Sequence, residues 1–208
     1  MNILIYGDSN AWGYVPNING YSKTAIPNKY DVKDIWWYPL LKDNSVIVDG
    51  LCGRAISNEN PWLPGRNAME TIGDDLKLVD PDLIILQLGT NDLKSIYKMS
   101  ALEITIQMSK LIDKIEKQSN ANIMIISPPK IKGGNIITDT YYAGAEEKAV
   151  KLDKNLRTFA SDWGYDFVSG LDLELGEDGE HLTRLGHIEL GDRVLKELGF
   201  SNERMPEM

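Results

Sequence analysis

Five short apolar runs, each followed at once by a glycine, proline or polar turn segment, constrain this chain more than any other feature. They are Asn2-Ile3-Leu4-Ile5-Tyr6, Ser45 to Asp49, Leu83 to Leu88, Asn122 to Ser127 and Tyr165 to Val168. Each reads as a buried strand bounded by turn signals. Helical patterns lie between them. Ala68, Met69, Ile72, Leu76 and Val79 recur at spacings of three and four before Pro81, which suits an amphipathic helix. A second helix is expected over 101–118, with Leu102, Ile106, Leu111, Ile112 and Ile115 inward. Others are expected near 144–162 and about 184–198. A short helix from Asp34 to Leu41 is expected against the advice of Pro39.

Strands that alternate with helices imply a parallel sheet with right-handed crossovers. The expected fold is α/β: a three-layer α/β/α sandwich on a five-stranded parallel sheet in flavodoxin-like order. Its 208 residues fit one domain, 1–208, with room for a real core. The stretches 10–33, 55–66 and 130–143 read as long loops, the kind that often wall a site or form a contact surface.

Composition narrows the function classes. A net charge of −9 without an offsetting basic stretch argues against nucleic-acid binding. No apolar run approaches the roughly 20 residues needed to cross a bilayer, so no membrane partner is expected. The opening apolar segment lacks the flanks of a signal peptide, and the single cysteine, Cys52, fits a reducing compartment. A cytoplasmic protein is therefore expected. Two histidines and one cysteine without CxxC or HExxH predict no dedicated metal site and no cofactor.

The polar segments after the strands carry the chemistry. In an open parallel sheet, ligands bind beyond the carboxyl ends of the strands. Ser9 follows the first run, Gly53 the second, Asn91 the third, and Asp178 and His181 the fifth. A serine hydroxyl is a weak nucleophile until a base takes its proton. His181 can be that base, with Asp178, three residues earlier, fixing its tautomer. Backbone N–H groups of Ser9 and Gly53, with the Asn91 amide, can meet a developing oxyanion. Ala11 stands two residues after Ser9, so the G-x-S-x-G elbow of α/β-hydrolases is absent.

Together Gly7-Asp8-Ser9, Gly53, Gly89-Thr90-Asn91-Asp92 and Asp178-x-x-His181 resemble the four blocks of the SGNH (GDSL-like) hydrolases, in order and spacing, over nearly the whole chain. A finer likeness lies in Trp12-Gly13-Tyr14-Val15-Pro16, Gly50-Leu51-Cys52-Gly53-Arg54, Asp92-x-Lys94 and Ser127-Pro128-Pro129. These resemble the arylesterase/acyltransferase (perhydrolase) branch. The resemblance implies a serine esterase for short acyl esters of aryl or alkyl alcohols, with acyl transfer to alcohols in some members. It implies Ser9 as nucleophile, His181 as base, Asp178 as its partner, and Ser9, Gly53 and Asn91 as oxyanion hole. It also implies a homo-oligomer, an octamer in some members. Asn10 stands where the name-giving motif has leucine, which puts local packing in question. Cys52 precedes the oxyanion glycine, where it shapes the acyl pocket, so acyl preference does not carry over.

Other residues have plainer readings. Trp12 either lines the substrate pocket or packs. Asp8 is read as the acceptor that holds the Ser9 turn, Asp92 as a tie between loops and His187 as a packed helix residue. Trp36, Trp37 and Trp62 are read as core or subunit contacts. Cys52 is read as inert, with Arg54 the only nearby cation to activate it. The acidic run Glu174 to Glu180 is read as solvated loop except for Asp178. Carbohydrate acetylesterase is the alternative activity. Among non-enzymes, a receiver-type module built on Asp8, Asp92, Ser127 and Lys130 lacks the acidic pair after strand one. A flavodoxin-like ligand-binding protein leaves Asp178 and His181 unexplained.

Overall fold

The computed structural model describes residues 1–19, 27–61 and 63–200. Trp62 and part of the long 10–33 stretch lie outside them. Five parallel strands form one sheet: β1 (Asn2–Gly7), β2 (Ser45–Gly50), β3 (Leu83–Gln87), β4 (Asn122–Ile126) and β5 (Asp166–Val168). Their order is β2-β1-β3-β4-β5, the flavodoxin-like arrangement expected. The crossovers carry the helices α1 (Ser9–Trp12), α2 (Ala68–Val79), α3 (Ala101–Glu116), α4 (Ile136–Tyr141) and α5 (Ala145–Trp163), and α6 (Arg184–Glu197) follows β5.

The period-two alternation of a strand sorts the apolar runs onto two faces. Leu4, Tyr6, Ile84, Leu86, Ile123 and Ile125 face one core, with α2, α3 and α5. Ile3, Ile5, Leu83, Ile85, Met124 and Ile126 face the other, with α6, Trp36 and Trp37. Both faces of β1 and β3 are thus covered, which is why these runs are continuous rather than alternating in sequence. The indoles of Trp36 and Trp37 satisfy their N–H groups inside the core, on Gln87 Oε1 at 2.9 Å and Ala11 O at 2.8 Å.

Three local expectations need correction. The helix expected from Asp34 to Leu41 is instead two 3₁₀ turns, Val32–Asp34 and Tyr38–Lys42. Pro39 opens the second, since it has no N–H to continue an α-helix from the first. The loop expected over 130–143 contains α4, capped by Asn135, whose side chain accepts from the N–H groups of Ile137 and Thr138. In α3 the inward face is Ile104, Met108, Leu111, Ile112 and Ile115, and Leu102 and Ile106 are 61% and 42% exposed. At 3.6 residues per turn those two sit about 120° and 160° from Met108. The true stripe also buries Thr105, whose hydroxyl is satisfied by Ala101 O at 2.9 Å, so a polar residue conceals the pattern. A capping box between Ser100 and Glu103 starts the helix.

This phase makes a prediction. Ile112→Ala should cost about 2–5 kcal/mol in denaturant unfolding, the usual range for truncating a packed core residue. Leu102→Ala should stay within about 0.5 kcal/mol. Equal losses at the two positions would contradict the assigned face.

Candidate active site

Ser9 is the first residue of α1, one turn of helix set directly on the end of β1. Asp8 caps that turn, its Oδ1 accepting from Asn10 N at 2.9 Å. A side chain on Gly7 would meet Ala11 Cβ at 2.5 Å and the carbonyl of Gln87 at 2.8 Å. Glycine there lets α1 fold back over β1 and β3. Ser9 is buried, 5% exposed. The expected irregular stretch therefore begins only after a helical turn that aims Ser9.

The segment before α6 brings the partners. Asp178 Oδ1 accepts from the backbone N–H of Glu180 at 3.2 Å and of His181 at 3.1 Å. This local turn puts the His181 ring beside its own carboxylate. Asp178 Oδ2 accepts from Asn17 N and from His181 Nδ1, both at 2.9 Å. A carboxylate at Nδ1 makes that nitrogen the donor in the neutral ring, so Nε2 is an acceptor. His181 Nε2 lies 2.8 Å from Ser9 Oγ, with the Ser9 hydroxyl as donor. Asn10, the departure from the name-giving motif, splices these pieces together. Its Nδ2 donates to Glu180 O at 3.3 Å and its Oδ1 accepts from Leu182 N at 3.0 Å.

The second and third strand ends close on the same point. Leu51 N donates to Gly7 O at 3.0 Å and the buried Arg54 guanidinium to the same carbonyl at 3.1 Å. Gly53, between them, has φ +84°, a conformation side-chain-bearing residues rarely adopt. Asn91 Nδ2 donates to Arg54 O at 3.0 Å. Ser9, Gly53 and Asn91 thus belong to three segments held together by direct hydrogen bonds. Asp92 ties loops as expected, accepting from Ile56 N and Asn58 Nδ2 at 3.1 Å.

Two residues at the site have no site role in the sequence reading, Tyr14 being named only within the Trp12 to Pro16 likeness. Tyr14 stacks on His181, with centroids 4.3 Å apart and planes at 26°. Its position five residues after Ser9 gave no periodic signal. Glu180 was assigned to solvated loop, yet it is 2% exposed. Its Oε1 lies 3.8 Å from His181 Nδ1 and its Oε2 accepts from the Tyr142 hydroxyl. The acidic run hid it, because six of the seven residues from Glu174 to Glu180 are Glu, Asp or Gly.

Electrostatics follow from burial. Burial alone would push the His181 pKa down, but Glu180, Asp178 and Asp8 outweigh it and hold the ring above its ordinary value. Burial would raise Asp178, but the hydrogen bond and charge of His181 and the N–H groups of His181 and Asn17 hold it below the usual carboxylate range. Burial raises Asp8 to about 6, opposed by the Asn10 N–H and the Thr90 side chain. Burial also raises the Cys52 thiol to about 11, with Asp8 adding to it. The nearby cation is Arg66, not Arg54, whose guanidinium is committed to Asp49 at 2.7 Å. Cys52 is a neutral thiol beside Gly53. Trp12 is half-buried at the end of α1, 6.3 Å from the Tyr14 ring and under Lys29 Nζ at 5.3 Å. His187 is a packed residue of α6, edge-on to Tyr30 at 5.3 Å, with burial pushing its pKa down to about 3.

The receiver-type reading finds no support here. Ser127 is bonded to Asp153 at 2.5 Å and Lys130 is paired with Glu146 at 2.9 Å. Among the described residues no group of three His, Cys, Asp or Glu side chains is placed to hold a metal ion, and no helix is long and apolar enough to cross a membrane.

The fold is a three-layer parallel α/β/α sandwich with a polar constellation at the carboxyl ends of its strands. The sequence profile of the GDSL-like lipase/acylhydrolase family matches residues 5–188, and the chain belongs to that family, the SGNH hydrolases. It is a carboxylic ester hydrolase. Among solved structures, it is similar to the native aryl esterase of M. smegmatis, with 25% identity, 95% of this chain and 97% of that one covered, and a TM-score of 0.85. Est24, a carbohydrate acetylesterase from Sinorhizobium meliloti, shares the fold at 23% identity, with 95% and 97% covered and a TM-score of 0.84. A lipolytic G-D-S-L family member from Veillonella parvula shares it at 13% identity, with 93% and 96% covered and a TM-score of 0.64. No curated protein matches the chain.

With two histidines in the chain, ring NMR separates their environments. His181 should titrate above the ordinary value of about 6.5, and Glu180→Gln should move its midpoint to lower pH. His187 should stay neutral until well into the acid range. An unchanged His181 midpoint in Glu180→Gln would remove Glu180 from its field.

Proposed function

We propose that the chain hydrolyses short-chain acyl esters of aryl or alkyl alcohols through a covalent acyl-enzyme. Ser9 Oγ attacks the ester carbonyl carbon as its proton passes to His181 Nε2. Asp178 accepts from Nδ1–H and stabilises the imidazolium that forms. The carbonyl oxygen becomes an oxyanion and takes hydrogen bonds from the N–H groups of Ser9 and Gly53 and from Asn91 Nδ2. On collapse the bond to the alkoxy oxygen breaks, and His181 returns the proton to the departing alcohol. Water then attacks the acyl-Ser9 carbonyl with His181 again as base, and the free acid leaves. An alcohol in place of water gives acyl transfer by the same steps. Trp12 borders the substrate and Cys52, beside Gly53, shapes the acyl side.

The observation that carries this reading is the buried hydrogen-bonded chain from Asp178 Oδ2 through both nitrogens of His181 to Ser9 Oγ, at 2.9 and 2.8 Å. The test is a p-nitrophenyl ester series from acetate to octanoate, with wild type and Ser9→Ala, beside a panel of acetylated sugars. Short acyl chains should be hydrolysed best, and Ser9→Ala should lose roughly a thousandfold or more in kcat. The acidic limb of kcat/KM should follow the raised His181 titration, because the base must be neutral. Activity surviving in Ser9→Ala would reject the nucleophile. Preference for the sugars would move the assignment to carbohydrate acetylesterase. Free acid as sole product in abundant alcohol would remove acyl transfer.

The resemblance and the long loops also lead us to infer a homo-oligomer, and the single cysteine a cytoplasmic one. Light scattering should return a multiple of the single-chain mass, and a monomer would overturn the assembly.

A further inference from the structure

A buried polar cluster joins the oxyanion segment to His181, and the steps above do not use it. Lys94 lies between two 3₁₀ turns after β3, Asn91–Leu93 and Ser95–Tyr97, and is 6% exposed. Its ammonium donates to Asn91 Oδ1 at 2.8 Å. Asn91 in turn donates from Nδ2 to Arg54 O at 3.0 Å. An ammonium has donors and no acceptor. It can therefore bond the Asn91 amide in one flip state only, with Oδ1 towards the lysine and the NH₂ group towards the Leu51–Arg54 turn. One N–H of that group is on Arg54 O. The other is the one that the oxyanion role proposed above for Asn91 would use.

A buried ammonium is costly to desolvate unless counter-charges surround it. Here burial pulls the Lys94 pKa down, and the charges of Glu180, Asp8 and Asp92 oppose that pull without reversing it. The Tyr142 ring lies 5.6 Å from Lys94 Nζ, and its hydroxyl donates to Glu180, whose other oxygen is 3.8 Å from His181 Nδ1. The lysine thus sits among carboxylates, with a hydrogen bond directed at the Asn91 amide.

We propose that Lys94 is a positioning residue of the oxyanion hole, its ammonium locking the Asn91 amide in the orientation that donates to the transition state. The proposal rests on the oxyanion role given to Asn91 above. Lys94 acts through Asn91 and does not touch the reacting atoms. The backbone bond from Lys94 N to Asn91 O, at 3.1 Å, is independent of the side chain, so a Lys94 variant keeps the turn while losing the lock.

The experiment is a double-mutant cycle of Lys94→Met and Asn91→Ala with p-nitrophenyl acetate. Loss of one oxyanion donor lowers kcat by on the order of a hundredfold. Lys94→Met should lower kcat by roughly ten- to a hundredfold with KM within about threefold, because the lost interaction is made only in the transition state. In the Asn91→Ala background the same substitution should change kcat by less than about threefold, since its target is gone. Losses that multiply in the double variant, or wild-type kcat in Lys94→Met, would overturn the proposal. Should Lys94→Met lack a cooperative thermal transition, the cycle is run with Lys94→Gln. Its amide can donate to Asn91 Oδ1 or accept from Nδ2, so it no longer fixes one flip state; kcat should fall by less than expected for Lys94→Met, and that fall should be absent in the Asn91→Ala background. Wild-type kcat in Asn91→Ala would strike the oxyanion assignment itself, a failure distinct from additive losses.

Discussion

The position of β1 between two parallel neighbours is the constraint on which the site depends. Its hydrogen bonds to β2 and β3 put Gly7 opposite Gly50 on one side and Gln87 on the other. Three strand ends then stop at one level. The chain leaving β1 carries Ser9, the chain leaving β2 carries Gly53 and the chain leaving β3 carries Asn91. Parallel pairing makes this convergence automatic, because all carboxyl ends lie on one edge. The carbonyl of Gly7 is its anchor, accepting from Leu51 N and from Arg54.

The second organising feature is concentrated buried charge. Asp8, Asp92, Asp178, Glu180, Arg54 and Lys94 are all nearly inaccessible. Such groups persist when hydrogen bonds or opposite charges offset their desolvation. Asp178 has three backbone N–H groups and His181. Asp92 has the Ile56 N–H and Asn58. Glu180 has the Tyr142 hydroxyl and the nearby imidazole. The outcome for chemistry is a His181 ring held more basic than burial alone would leave it, beside Tyr14, whose stacked ring restricts its rotation. His187, whose ring nitrogens have no hydrogen-bond partner among the described residues and for which burial outweighs the pull of Asp34, goes the other way. Identical side chains thus acquire opposite proton affinities from the carboxylates around them.

Legibility in the sequence varied with the range of the interaction that mattered. The strands, α2, α6 and the sheet order followed from local periodicity and the alternation of elements. The residues of the four blocks were legible because each follows a strand with recognisable chemistry. The face of α3 was not, because Thr105 is buried through a hydrogen bond to its own helix and Leu102 is left to solvent. The 3₁₀ turns around Pro39 and the helix α4 were matters of local hydrogen bonding that apolar spacing does not report. Glu180 failed for a longer-range reason: its Tyr142 partner is 38 residues away.

The sequence by itself determined a five-stranded parallel α/β fold and the identity of the polar residues at the carboxyl edge of its strands. Those depend on hydrophobic period and on residue type, which are properties of short segments. Only the tertiary structure decided how those residues meet. It joined Ser9 to His181 across 172 residues, laid Tyr14 on the imidazole and turned Glu180 inward toward Tyr142. These are contacts between segments remote along the chain, and their geometry comes from the twist and register of the sheet that carries them.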